Sequence, residues 1–146
     1  MRDPVTLIID PDPGFVCWLG QLLSQAGSQT IPALSCRQAI RLVAELNLPI
    51  DLAIVDPGLR GVNRAIRTLR KRFPLLRTVV VRTADQDAMP AIDGSTTLKR
   101  TFGSVQASRQ QWLTSVRGIL KNVMAAGPEL RVGGKLLVND GWLSRR

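Results

Sequence analysis

Four short strand-like runs lead directly into residues able to do chemistry. Val5–Ile9 runs into Asp10-Pro11-Asp12, and Leu52–Val55 into Asp56-Pro57-Gly58. Thr78–Val81 reaches Thr83-Ala84, and Ser95–Leu98 is followed by Lys99-Arg100. If the ends of these runs meet, three carboxylates, one hydroxyl and one or two cations share a cleft. Bare carboxylates packed together repel, and one is pushed toward protonation. A hard divalent cation resolves the conflict: Mg²⁺ prefers carboxylate oxygens, keeps several waters and leaves room for a phosphoryl group. One carboxylate could then attack a phosphoryl donor and hold an acyl phosphate. The hydroxyl and an ammonium would stabilise its oxygens. Taken singly these residues say little, because Asp after a strand is a common cap or turn former. Their combination and order carry the signal.

The elements that must position them alternate. Val5–Ile9 is an unbroken apolar run suited to a strand buried on both faces. Phe15, Trp18, Leu19, Leu22 and Leu23 form one helical stripe, and Gly27 is placed to end it. Thr30–Leu34 is a weaker strand, and Pro32 puts it at an edge. Ser35 caps a helix running to about Leu46. Leu52–Val55 is a third strand. A helix from Val62 to Phe73 is stopped by Pro74, and Thr78–Val81 and Ser95–Leu98 supply two more strands. Residues 84–94 have room for at most two helical turns. The last helix spans Ser108–Met124, with Trp112, Leu113, Val116, Ile119, Leu120 and Val123 on its buried side. Strands alternating with helices specify a doubly wound α/β sheet. In such a sheet, ligands gather outside the carboxyl ends of the strands.

Composition sets the outer limits. The chain has 146 residues, 45% of them hydrophobic and 21% charged, and fits one globular domain. Histidine is absent. That excludes histidine bases, Ser-His-Asp triads and His-ligated zinc. Cys17 and Cys36 are too few for a Cys-only zinc site and read as buried free thiols in a reducing cytoplasm. No apolar stretch has the length of a membrane span, and the N-terminal segment lacks the apolar core of a secretory signal.

The motifs LIIDPDP, DLAIVDPGLRG, VVVRTA and LKRTF resemble a receiver domain of two-component response regulators over the first 126 residues or so. The resemblance implies a flavodoxin-like (CheY-like) five-stranded sheet of order 2-1-3-4-5. It implies that Asp56 is the phosphoacceptor, taking its phosphoryl group from a sensor histidine kinase. It further implies that Asp10, Asp12, Asp56 and the carbonyl of Gly58 hold Mg²⁺. Thr83 then matches the switch hydroxyl, and Lys99 or Arg100 the family's cation. The departures are specific. Pro11 stands where the second acidic residue is usual, with Asp12 one residue late. Thr97 stands where a switch aromatic is usual. The segment before Lys99 is short, so the family's fourth helix should be stunted. A pseudo-receiver working by protein contact alone is the variant these departures describe.

Other readings use the same residues. Asp10-x-Asp12 resembles the first motif of haloacid-dehalogenase-like phosphatases, although a later paired acidic motif is missing. Arg60, Arg64, Arg67 and Lys71 step by four, three and four and should share a helix face. Residues 56–82 carry eight of the chain's cations and a single acid, a net +7 of the total +9. This stripe would meet an acidic kinase, a partner receiver or a nucleic-acid backbone, or remain a solvated face. No aromatic interleaves with it to stack bases. Residues 127–146 read as a tail with two strand-like runs around Gly133-Gly134. The tail is either the start of an output domain or an interaction element, with Trp142 as a packing anchor. Two copies would pair through it or through the last helix. The expected setting is cytoplasmic, with no membrane partner.

Overall fold

A computed structural model describes residues 2–82, 86, 92, 94–99 and 105–125. Among the described residues, five strands and four helices follow in the order β1 (Val5–Ile9), α1 (Pro13–Gln25), β2 (Gln29–Ala33), α2 (Cys36–Leu46), β3 (Leu52–Val55), α3 (Val62–Arg72), β4 (Arg77–Arg82), β5 (Ser95–Lys99) and α4 (Val105–Ala125). All strand pairings are parallel, and the sheet order is β2-β1-β3-β4-β5. Both the doubly wound class and the strand order match the sequence expectation. Element ends shift by one to three residues, most at the start of α4. The tail 127–146, with Trp142, lies outside the described residues. So does nearly all of the segment expected to hold a stunted helix between β4 and β5.

The period-two geometry of buried strands builds two cores. Leu7, Ile9, Ala53, Val55 and Val80 face α2 and α3. Ile8, Leu52, Ile54, Val79 and Val81 face α1 and α4. Neighbours in sequence therefore point to opposite layers, as strand geometry requires. On the second face, Phe15, Trp18 and Trp112 form an aromatic cluster with centroids 5.6–5.9 Å apart. Pro32 sits in the edge strand β2, where its missing N–H costs nothing to the ladder.

Two expectations need correction. Cys36 is buried as expected, but Cys17 is exposed, because it lies off the apolar stripe of α1. Arg60 does not belong to the helical face of Arg64, Arg67 and Lys71. It lies in the turn before α3, whose N-cap is Gly61 at φ 77°. Only glycine takes that left-handed conformation at no steric cost.

Candidate functional site

The site grows out of the strand order. The connections leaving β1 and β3 run to opposite sides of the sheet, so a crevice opens between the carboxyl ends of these two strands. Ile9 is registered with Val55, which makes Asp10 and Asp56 the first residues beyond two paired strands. The Asp56 N–H still donates to the Ile9 carbonyl at 3.0 Å, locking the two ends together. Asp10 is 3% exposed, whereas Asp56 is half-buried.

Each carboxylate has a local anchor. Asp10 Oδ1 accepts the Asp12 N–H at 2.9 Å. Asp56 Oδ1 accepts the Gly58 N–H at 2.8 Å, an Asx turn of the kind Asp-Pro-Gly favours. The same oxygen accepts a second hydrogen bond, from Gln86 Nε2, at 2.7 Å. Among the described residues, Oδ2 of Asp56 accepts none. Gln86 is itself held by Arg82, whose Nη1 donates to its carbonyl at 2.8 Å. Arg82 is 7% exposed at the end of β4, one strand from Asp56.

Asp12 has a local task at the start of α1. It is the N-cap of α1, its Oδ1 accepting from the N–H groups of Gly14 at 3.0 Å and Phe15 at 3.3 Å. This side-chain oxygen satisfies donors that the first helical turn leaves unpaired. Among the described residues, no three of the His, Cys, Asp and Glu side chains gather into a group able to hold a metal ion. Among the described residues, the carboxylates that follow the paired ends of β1 and β3 are Asp10 and Asp56. Mg²⁺ tolerates a donor set that small, because it keeps several of its waters.

Of the other sequence-predicted residues, Thr83 and Arg100 lie outside the described set. The backbone of Lys99 closes β5 in register with Arg82. Sequence reading counted Arg82 only as part of the basic stripe and missed Gln86. A cation directly after a fully apolar strand run was the available signal for Arg82. Nothing in the local pattern singles out Gln86.

Solved structures of the same shape are numerous. A CheY-like response regulator receiver domain protein from Methanospirillum hungatei JF-1 superposes with a TM-score of 0.67 at 15% identity, over 86% of this chain and all of that one. The signal receiver domain of an HD domain-containing protein from Pseudomonas fluorescens Pf-5 gives 0.66 at 21% identity, over 86% and 92%. The fold is that of a response-regulator receiver domain. A beryllofluoride-activated NtrC4 receiver domain dimer shares it as well, with a TM-score of 0.62 at 17% identity over 82% of this chain and 98% of that one. No protein-family model and no curated protein sequence matches the chain. The shared fold thus comes with 15–21% identity to these three structures. Among the described residues no helix is long and apolar enough to cross a membrane.

Proposed function

We propose that this chain is a receiver-type signalling module of a two-component relay and that Asp56 accepts its phosphoryl group. The observation that carries the reading is the pairing of the strand ends that carry Asp10 and Asp56 at the switch-point crevice, with Asp56 held, among the described residues, through Oδ1. The Gly58 N–H and the Gln86 amide hold Oδ1, which leaves Oδ2 as the nucleophile. Oδ2 attacks the phosphorus of the donor; the new O–P bond forms as the bond to the leaving group breaks, and the leaving group departs with the electron pair. The Asp10 and Asp56 carboxylates and the Gly58 carbonyl would hold Mg²⁺, which supplies charge neutralisation when bound. Asp12 stays on its helix cap in this scheme. A sensor histidine kinase or another signalling protein is the donor class, and the active form pairs with a second copy, by analogy with the NtrC4 dimer.

The test is intact-protein mass spectrometry after incubation with acetyl phosphate and Mg²⁺. One added phosphoryl group on the wild type, absent from Asp56→Asn, is the expected result. A second reading, the pseudo-receiver that signals by contact alone, draws on Pro11 at the usual ligand position and on the cap role of Asp12. Unchanged wild-type mass would establish that reading instead. The phosphatase alternative needs Asp12 at the chemistry and gives Asp56 no role, so it is set aside.

A further inference from the structure

On the face of the sheet that carries α2 and α3, a groove of about 870 Å³ runs between these two helices, with Arg60 on its wall four residues after Asp56. Arg37 and Arg41, one turn apart on α2, line one wall, and Arg60 and Arg64 line the other. All four are exposed, and among the described residues none forms an ion pair, the ion pair there being Arg2 with Asp51. Ile40 and Ala65 give the groove an apolar floor. Neither helix has an acid in its first turn, so the positive ends of both helix dipoles are left uncompensated beside it.

We propose that this α2–α3 groove docks an acidic, amphipathic segment of a protein partner. Carboxylates on both flanks of the segment meet the two arginine walls, where guanidinium forks pair with carboxylates in bidentate geometry. An apolar side chain between them covers Ile40 and Ala65. Charge selects this occupant. A second copy carries the same +9 and brings no net acidic charge to these two arginine walls, so its pairing in the active form belongs to another surface. Residues 127–146 hold four cations against two acids, so the chain's own tail does not complement the walls. Nucleic acid would match the sign, but the groove has an apolar floor and no aromatic side chain for a base to stack on. The reading stands apart from phosphorylation of Asp56.

The experiment is fluorescence anisotropy of the full chain with a labelled synthetic peptide in which Asp and Glu flank two central leucines. Saturable binding is expected, weakened at least tenfold by the Arg41→Ala, Arg64→Ala double variant and by replacing both leucines with serine. Arg117→Ala, an exposed change on α4, should leave it intact. Unchanged far-UV circular dichroism is expected for the double variant, whose altered side chains are exposed. Absence of binding, equal affinity for the double variant, or equal affinity for the serine peptide would overturn the proposal. So would displacement of the peptide by duplex DNA at lower concentration than by unlabelled peptide.

Discussion

Asp10 and Asp12 differ by two positions and by their work. Asp10 is buried at the mouth of β1 and accepts one backbone N–H, whereas Asp12 closes the start of α1. Asparagine keeps the accepting oxygen in both places, and it caps helices as well as aspartate does. Asp10→Asn should therefore remove a metal charge with little change of fold, and lower Mg²⁺ affinity at least tenfold, about 1.4 kcal/mol. Asp12→Asn should change that affinity less than about threefold, on the same scale of free energies. Isothermal titration with MgCl₂ separates the two, and equal losses would return Asp12 to the ligand set. The cysteines give a second residue-scale contrast. Burial raises the pKa of the Cys36 thiol, because desolvation penalises the thiolate. Unfolded Cys36 ionises first, so its contribution to stability is complete below the unfolded pKa and is lost as pH rises through the folded value. Exposed Cys17 should react with a thiol reagent in the native state while Cys36 reacts only on unfolding. A mass count of two adducts on folded protein would contradict this.

At the scale of elements, the seam between α1 and α4 depends on three rings. Trp112 is 6% exposed and meets Phe15 and Trp18 edge-on at 5.7 and 5.6 Å. Trp112→Ala removes both contacts and leaves a cavity, at a cost of about 3–5 kcal/mol. Because β1 and β3 do not rely on α4 for their ladder, amide exchange should accelerate first along α4. Uniform acceleration would show that the seam is not a separate weak point. The sequence made these elements legible wherever apolar period and local chemistry agreed. The stripe of α1, the Ser35 cap of α2 and the unbroken runs of β1, β3 and β4 all lie where the pattern puts them. Gly61 escaped notice because its conformation answers to the turn and not to any hydrophobic period. The capping role of Asp12 was not legible, because a capping carboxylate and a metal-binding carboxylate look alike in sequence. Gln86 was invisible because its role comes from a long-range contact, 30 residues from Asp56. The α2–α3 groove was half visible: the stripe on α3 was counted, but its opposing wall on α2 needed tertiary packing to appear.

Across the whole molecule, one sheet serves two cores, and its central strands belong to both. Leu7 and Ile8 are adjacent and each fully buried, yet Leu7 packs toward α2 and α3 while Ile8 packs toward α1 and α4. Losing either layer exposes an apolar face of the same strand, so neither core can dissolve while the other stays intact. Leu7→Ala and Ile8→Ala should each cost about 2–5 kcal/mol. Both should lower the urea midpoint without splitting the transition. Tryptophan fluorescence distinguishes coupling from its absence, since Trp18 and Trp112 both lie in the α1/α4 layer. In Leu7→Ala the lesion is in the other layer, and fluorescence should still change at the same urea concentration as far-UV circular dichroism. Fluorescence lagging behind circular dichroism in that variant would mean that the two cores melt separately. The crevice holding Asp10 and Asp56 sits where the connections to those layers diverge. Independent melting would therefore also deprive the site of its rigid frame.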